Sequence, residues 1–164
     1  MLVRSSRFGT LEVDGQQAIH FPRGFVGFPE WRSFVVLPHA PDSPFAILQS
    51  LDDPDLALTV VDPRVVQPDY VARVPASELA CIGLREPQQL QQAVVLAVVT
   101  IPKGDVRQAT VNLLAPLVIN PVTRQALQVV LEGHGYSVRH PLFGSPPPAP
   151  ARAVGPAVAA AAGG

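Results

Sequence analysis

The sequence predicts an all-β fold, mainly antiparallel, built as a compact β-barrel-like domain with one short helical insertion. Three observations carry that prediction. Pro44 to Pro63 (PFAILQSLDDPDLALTVVDP) and Asn112 to Leu131 (NLLAPLVINPVTRQALQVVL) are each a pair of branched apolar runs broken by an Asp/Pro or Asn/Pro cluster. Strands bounded by turn formers produce that pattern, because Pro fixes φ and Asp or Asn bonds its own backbone. Other short apolar runs recur with turn formers at most boundaries, the spacing of an antiparallel barrel or sandwich. Helix signals, by contrast, gather in one place.

Taken in order, Leu2 to Phe8 and Thr10 to Val13 are expected to pair across Gly9. Gly24 to Gly27 (GFVG), followed by Phe28, Pro29 and Trp31, reads as an aromatic-rich turn. Ser33 to Leu37, Phe45 to Leu48, Leu56 to Val61, Ala93 to Ile101 and Ala109 to Ile119 follow as strands. Leu127 to Glu132 is expected to return along the last of these through the NPVTR turn. Several runs, VVLAVVTI among them, are apolar on consecutive residues. That pattern implies burial on both faces, or one face in the core and one against a partner, and core is the commoner reason. The helix is expected at Ser77, as the cap, with Glu78 at its positive end, Leu79, Ala80 and Ile82 following, and Gly83 stopping it. A second short turn is expected from Glu86-Pro87 through Gln92.

At 164 residues the chain supports one domain, assigned to 1–143. The remaining 144–164, GSPPPAPARAVGPAVAAAAGG, has valine as its largest apolar side chain and is expected to form a disordered tail. The formal net charge of -1 argues against non-specific nucleic-acid binding, which needs a cationic surface to displace counterions. One cysteine, Cys81, forms no internal disulfide. The N-terminus has no apolar run of signal-peptide length, and the longest such run, Ala93 to Val99, is too short to span a bilayer. A soluble, cytoplasmic protein is expected.

Signatures of catalysis are lacking. His20, His39, His134 and His140 show no helical i, i+4 spacing with a ligand, so no metal or other cofactor is expected. Cys81 among Leu79, Ala80 and Ile82 reads as a small buried residue rather than a nucleophile. There is no nucleophile elbow, phosphate loop or dinucleotide fingerprint. Asp52, Asp53 and Asp55, with Asp62 and Asp69 at later turns, form the best polar constellation. A tight turn between strands is the first reading of DDPD. A catalytic carboxylate pair ranks below that turn, and a locally negative surface suited to a basic partner stands as a third reading.

A series of co-linear blocks runs through the chain. F-G-x-L-E-V lies at Phe8 to Val13 and I-H-F-P-x-G-x-x-G-F at Ile19 to Phe28. F-x-x-L-P at Phe34 to Pro38 precedes S-P-F-x-x-L-Q-S-L-D-D-P-D-L-A at Ser43 to Ala57. V-V-D-P at Val60 to Pro63, P-D-Y at Pro68 to Tyr70 and V-T-I-P at Val99 to Pro102 follow. N-L-L-A-P-L-V-I-N-P at Asn112 to Pro121, Q-V-V-L at Gln128 to Leu131 and Y-S-x-R-H-P-L at Tyr136 to Leu142 close the set. In order and spacing these blocks resemble the flagellar assembly factor family, FliW, over nearly all of residues 3 to 142.

The resemblance implies a largely antiparallel, barrel-like fold and a non-enzymatic role in partner exchange. Such factors bind new flagellin in the cytoplasm. When flagellin is exported, the freed factor binds the carbon storage regulator, an RNA-binding translational repressor, away from its RNA site. That binding relieves repression of flagellin synthesis. Partner-binding candidates follow from this. Asp52, Asp53 and Asp55 are placed to weaken the potential of a basic RNA-binding surface. Phe25, Phe28 and Trp31, or the Leu113 to Ile119 strand as an apolar groove or free edge, suit an aggregation-prone flagellin segment. Phe28 and Trp31 suit core and interface equally. Gln49, Asn112 and Asn120, from the two hairpin-like stretches, complete the set. A monomer when free is the simplest expectation. EPQQLQQ, within Arg85 to Ala93, is less acidic than the family pattern. The rival reading is a small β-barrel module for a peptide or protein ligand, without a flagellar role.

Overall fold

The computed structural model describes residues 1–143, and the stretch 144–164, expected as a disordered tail, lies outside them. The chain opens with a hairpin of β1 (Leu2–Ser5) and β2 (Gly9–Glu12), with Leu2 opposite Glu12 and Ser5 opposite Gly9. The reversal occupies Ser6 to Phe8 rather than Gly9. The Ser5 hydroxyl accepts from the Arg7 and Phe8 N–H groups at 3.1 and 3.2 Å, which ends the strand three residues sooner than its apolar pattern suggests.

The main sheet contains β3 (Ile19–His20), β4 (Ser33–Pro38), β5 (Phe45–Ser50), β6 (Ala57–Val61) and β7 (Val94–Thr100). To these it adds β8 (Thr110–Val111), β9 (Leu117–Ile119), β10 (Ala126–Gln128) and β11 (His140–Pro141). The order is β10-β9-β7-β6-β5-β4-β3, and every ladder is antiparallel. β7 forks: Val94–Leu96 pair with β9, whereas Val99 and Thr100 pair with β8, which in turn carries β11. The two ends meet at one parallel bridge, His20 to Gln125, where the His20 N–H donates to the Arg124 carbonyl at 2.9 Å. The sheet therefore curls as a barrel does without closing into a continuous ladder. Pro22, which has no N–H, follows soon after β3 and keeps that edge short.

Consecutive apolar residues are buried on both sides of the sheet by the chain itself. Leu58, Val60, Val98, Leu117 and Ile119 join Phe21, Phe25 and Phe34 in one cluster. Their neighbours Val61, Ala97, Val99 and Val118 join Tyr70, Leu79, Ile82, Leu113 and Leu131 in another. Successive strand side chains point to opposite faces, so the unbroken hydrophobic runs report two cores.

Three expectations need correction. The run Ala109 to Ile119 is two strands, β8 and β9, because Asn112 turns the chain between them. Its Oδ1 accepts from the Leu114 and Ala115 N–H groups at 3.1 and 3.0 Å, and Pro116 follows. Helix α1 (Ala76–Ala80) begins after Pro75, with no side-chain cap, so Ser77 lies inside it rather than at its start. Its end is as expected: Gly83 takes φ +84°, and the Gly83 and Leu84 N–H groups return to the Ala80 and Leu79 carbonyls at 3.1 and 3.0 Å. Cys81 is exposed rather than a buried apolar residue, because it falls on the outer side of that last turn. Helix α2 (Pro87–Leu90) forms where Glu86-Pro87 predicted it, and the Gln89 Oε1 accepts from the Arg85 and Glu86 N–H groups at 2.7 and 2.8 Å. No described helix is long and apolar enough to cross a membrane.

Candidate partner-binding surface

The acidic turn joins β5 to β6 and stands out from the sheet. Asp52, Asp53 and Asp55 are all exposed. Below them Ser50, 4% exposed, accepts from the Asp52 and Asp53 N–H groups at 3.0 Å each. The Asp53 carboxylate accepts from the Asp55 N–H at 2.9 Å. Gln49 is fully buried beneath the loop, and its Nε2 donates to the Ser50 and Leu56 carbonyls at 3.2 Å each. The turn is thus shaped from inside by an amide and a hydroxyl, which leaves the carboxylates to solvent. The N-terminal hairpin leans on it: the Ser6 N–H donates to the Pro54 carbonyl at 2.9 Å, and the Ser6 hydroxyl donates to Asp55. With no cationic side chain paired to these three residues among the described contacts, the patch is a negative projection held in shape by its own hydrogen bonds. Such a surface favours a basic partner and speeds its approach.

The aromatic turn is a tight reversal. Phe25 and Phe28 exchange backbone hydrogen bonds at 3.0 and 2.8 Å. Gly24 is required there: at φ +68°, a Cβ on it would meet the Pro29 carbonyl oxygen at 2.3 Å. Phe25 is 5% exposed and packs on Phe21 and Phe34 with ring centroids 4.7 and 5.4 Å apart, so it belongs to the core. Phe28 and Trp31 are half-buried and stack at 3.9 Å with planes 11° apart. They cover the outer flank of the aromatic core and keep part of their surface in water. Val26, at the tip, is exposed, and its N–H is held by the Gln128 Oε1 at 2.8 Å.

Asn112 and Asn120 are 3% and 4% exposed. Asn120 donates from Nδ2 to the Ile82 carbonyl at 2.7 Å and accepts at Oδ1 from the Val122 N–H at 2.9 Å, tying the NPVTR turn to the end of α1. Leu113, Leu117, Val118 and Ile119 are buried, and β9 is paired on both sides, by β10 and β7. The expected free strand edge at Leu113–Ile119 is therefore absent. What the sequence places in one candidate set, the structure separates into two surfaces, the acidic turn and the Phe28–Trp31 flank, and an internal framework.

Sequence reasoning passed over Ser50 and Ser6. Ser50 had a readable signal, since a Ser two residues before an Asp-rich turn is a common hydroxyl turn; the contact of Ser6 with Asp55 spans 49 positions and had none. Arg23 also went unnoticed. Its guanidinium donates to Glu78 Oε2 at 2.6 Å and to Cys81 Sγ at 2.8 Å, clamping the aromatic turn to α1. Those two partners, Glu78 first, hold the Arg23 guanidinium above its ordinary value. Among the described residues no group of three or more His, Cys, Asp or Glu converges as a metal site would require.

The chain matches the family model described as "FliW protein" over residues 2–142. It is 41% identical over 143 residues to the flagellar assembly factor FliW of Moorella thermoacetica, covering 87% of this chain and 89% of that protein. Over 143 residues it is 38% identical to the corresponding factor of Natranaerobius thermophilus, covering 87% and 93%. A solved structure described as the crystal structure of the flagellar assembly factor FliW superposes with a TM-score of 0.78 at 28% identity. That alignment covers 88% of this chain and 98% of that one.

Proposed function

The chain belongs to the FliW family, and we propose that it binds flagellin in the cytoplasm and, once freed, antagonises the carbon storage regulator. Flagellar assembly is the role that the family name carries, and it is a binding role with no chemical step. The observation that supports the reading most is the extent of the likeness, which runs through both strand-rich halves rather than one motif.

The two surfaces suit two unlike partners. A regulator that holds RNA must be basic, because phosphate charge dominates RNA affinity. Docked beside it, Asp52, Asp53 and Asp55 lower its positive potential without entering the RNA site. Flagellin presents amphipathic, aggregation-prone ends in its unassembled form, and the half-buried Phe28–Trp31 stack offers an aromatic flank for one of them. The free factor acts as a monomer.

A calorimetric titration of the full chain with flagellin from the same organism tests this, repeated after saturation with that organism's regulator. Tight binding to flagellin that the regulator suppresses is the expected result. Absence of flagellin binding would remove the proposal.

A further inference from the structure

At the opposite end of β6 from the acidic turn, the sheet has a gap. β7 is partnered along one side by β9 and β8, but on the other side β6 pairs only with Ala97, Val98 and Val99. The chain leaves β6 at a 3₁₀ turn, Pro63–Val65, where the Asp62 carboxylate accepts from the Arg64 N–H at 2.9 Å. Backbone groups of an antiparallel strand alternate between its two neighbours. The Val98 carbonyl accepts from the Asn112 N–H on the β8 side. By that alternation the N–H and C=O groups of Val95 face the unpartnered side, and Ala93, one residue before β7, keeps the same phase, its side chain packing with that of Val95 against the second core.

Across the gap runs Val71–Pro75, an extended segment outside any described strand. Its burial alternates: Ala72 and Val74 are half-buried against the second core, and Val71, Arg73 and Pro75 are exposed. No backbone hydrogen bond joins Ala72, Arg73 or Val74 to another described residue. Between the two edges lie adjoining hollows of about 290 and 230 Å³, both lined by Ala72, Ala93 and Val95. Leu79 and Val118 add an apolar floor, and the only charged residues on the lining are Arg64 and Arg73.

We propose that this groove receives an extended peptide strand from a protein partner. The strand hydrogen-bonds to the backbone of Ala93 and Val95, sets small or β-branched side chains into the hollows at alternate positions, and places an acidic residue beside Arg73. Strand addition draws affinity from the backbone ladder and specificity from alternate side chains. The charge of the lining selects the acidic flank, since Arg73 has no ion-pair partner among the described residues and Arg64 is engaged only by Asp62, at 3.4 Å. Residues 144–164 of this chain fit poorly: they contain Arg152, no acidic residue, and several prolines that cannot donate to a ladder.

The test uses the full chain, isotope-labelled for NMR, and the synthetic peptide acetyl-Asp-Val-Thr-Val-Thr-Val-Asp-amide. Addition of peptide is expected to shift the amide signals of Ala93 and Val95 and to slow their hydrogen exchange about tenfold. Arg73→Glu, at an exposed position, is expected to weaken binding about tenfold with an unchanged thermal midpoint. Methylating alternate peptide amides should abolish binding. The proposal is overturned if no shift occurs, if the methylated peptide or a lysine-flanked version binds as well, or if Ala93 and Val95 are already protected in the chain alone. Because the probe is synthetic, failure to bind flagellin would leave this result untouched.

Discussion

The β5–β6 hairpin and the Asn112–Leu131 stretch use the same kind of sequence, apolar runs around an Asp/Pro or Asn/Pro turn, and place their polar groups oppositely. Asp52, Asp53 and Asp55 stand in solvent, while Asn112 and Asn120 are almost wholly enclosed. The chemistry of the side chains accounts for the enclosure of Asn120, whereas Asn112 closes its turn through Oδ1 alone and its buried Nδ2 has no hydrogen-bond partner among the described residues. An ionised carboxylate only accepts hydrogen bonds and is expensive to strip of water. An amide both donates and accepts, so it can close a buried turn and also satisfy a neighbour. Asn120 does both, with the Val122 N–H on one atom and the Ile82 carbonyl on the other. The hairpin contains its own buried amide, Gln49, which leaves its carboxylates available for a partner.

The sharpest way to break this contrast is Asn120→Asp, which keeps the shape but sets an acceptor against the Ile82 carbonyl. A loss of about 3 kcal/mol is expected in urea unfolding, and a loss below about 1 kcal/mol would refute the account. Next comes Gln49→Leu, expected to cost about 2 kcal/mol and to loosen the acidic turn, seen as faster hydrogen exchange at Asp52 and Asp53.

Tyr70→Phe probes the core behind both stretches, where the Tyr70 hydroxyl donates to the Leu113 carbonyl at 2.7 Å. It should remove about 1 kcal/mol at neutral pH. Burial first, and Tyr136 second, raise the Tyr70 phenol well above its ordinary range. An unfolded tyrosine ionises near about pH 10. The stability linked to this proton is therefore whole below that pH and drains away as pH climbs toward the folded value. The phenylalanine variant should lose that part of the alkaline decline, which denaturation at pH 9 and pH 11 would reveal.

The smallest change in stability is expected from Asp52→Asn, Asp53→Asn and Asp55→Asn combined, within about 0.5 kcal/mol, since asparagine can keep the turn. Regulator antagonism should nevertheless fall, measured as RNA retained by the regulator at saturating factor. Unchanged RNA release would detach the acidic turn from function.

Much of the fold was legible because strand and turn signals are local. DDPD between apolar runs, GFVG before Phe28, and Gly83 after an apolar turn each act through a few adjacent residues. Legibility failed where one side chain redirected the backbone, as Asn112 does between β8 and β9, and where Pro75 opened α1 without a side-chain cap. Among candidate site residues, exposure of the aspartates follows from their chemistry. The burial of Phe25 and Gln49 does not, because a phenylalanine or glutamine beside a turn serves core or surface equally well.

The sequence alone determined the strand-rich class, the turns marked by DDPD, GFVG and NPVTR, and the family to which the chain belongs, since each depends on residues in fixed order along the chain. Only the tertiary structure decided which apolar runs would be covered on both faces and that the curled sheet stops short of closure. It likewise decided that β7 keeps an unpaired flank opposite Val71–Pro75. Those outcomes depend on contacts between segments far apart in the chain, such as His20 with Gln125, and no local propensity encodes them.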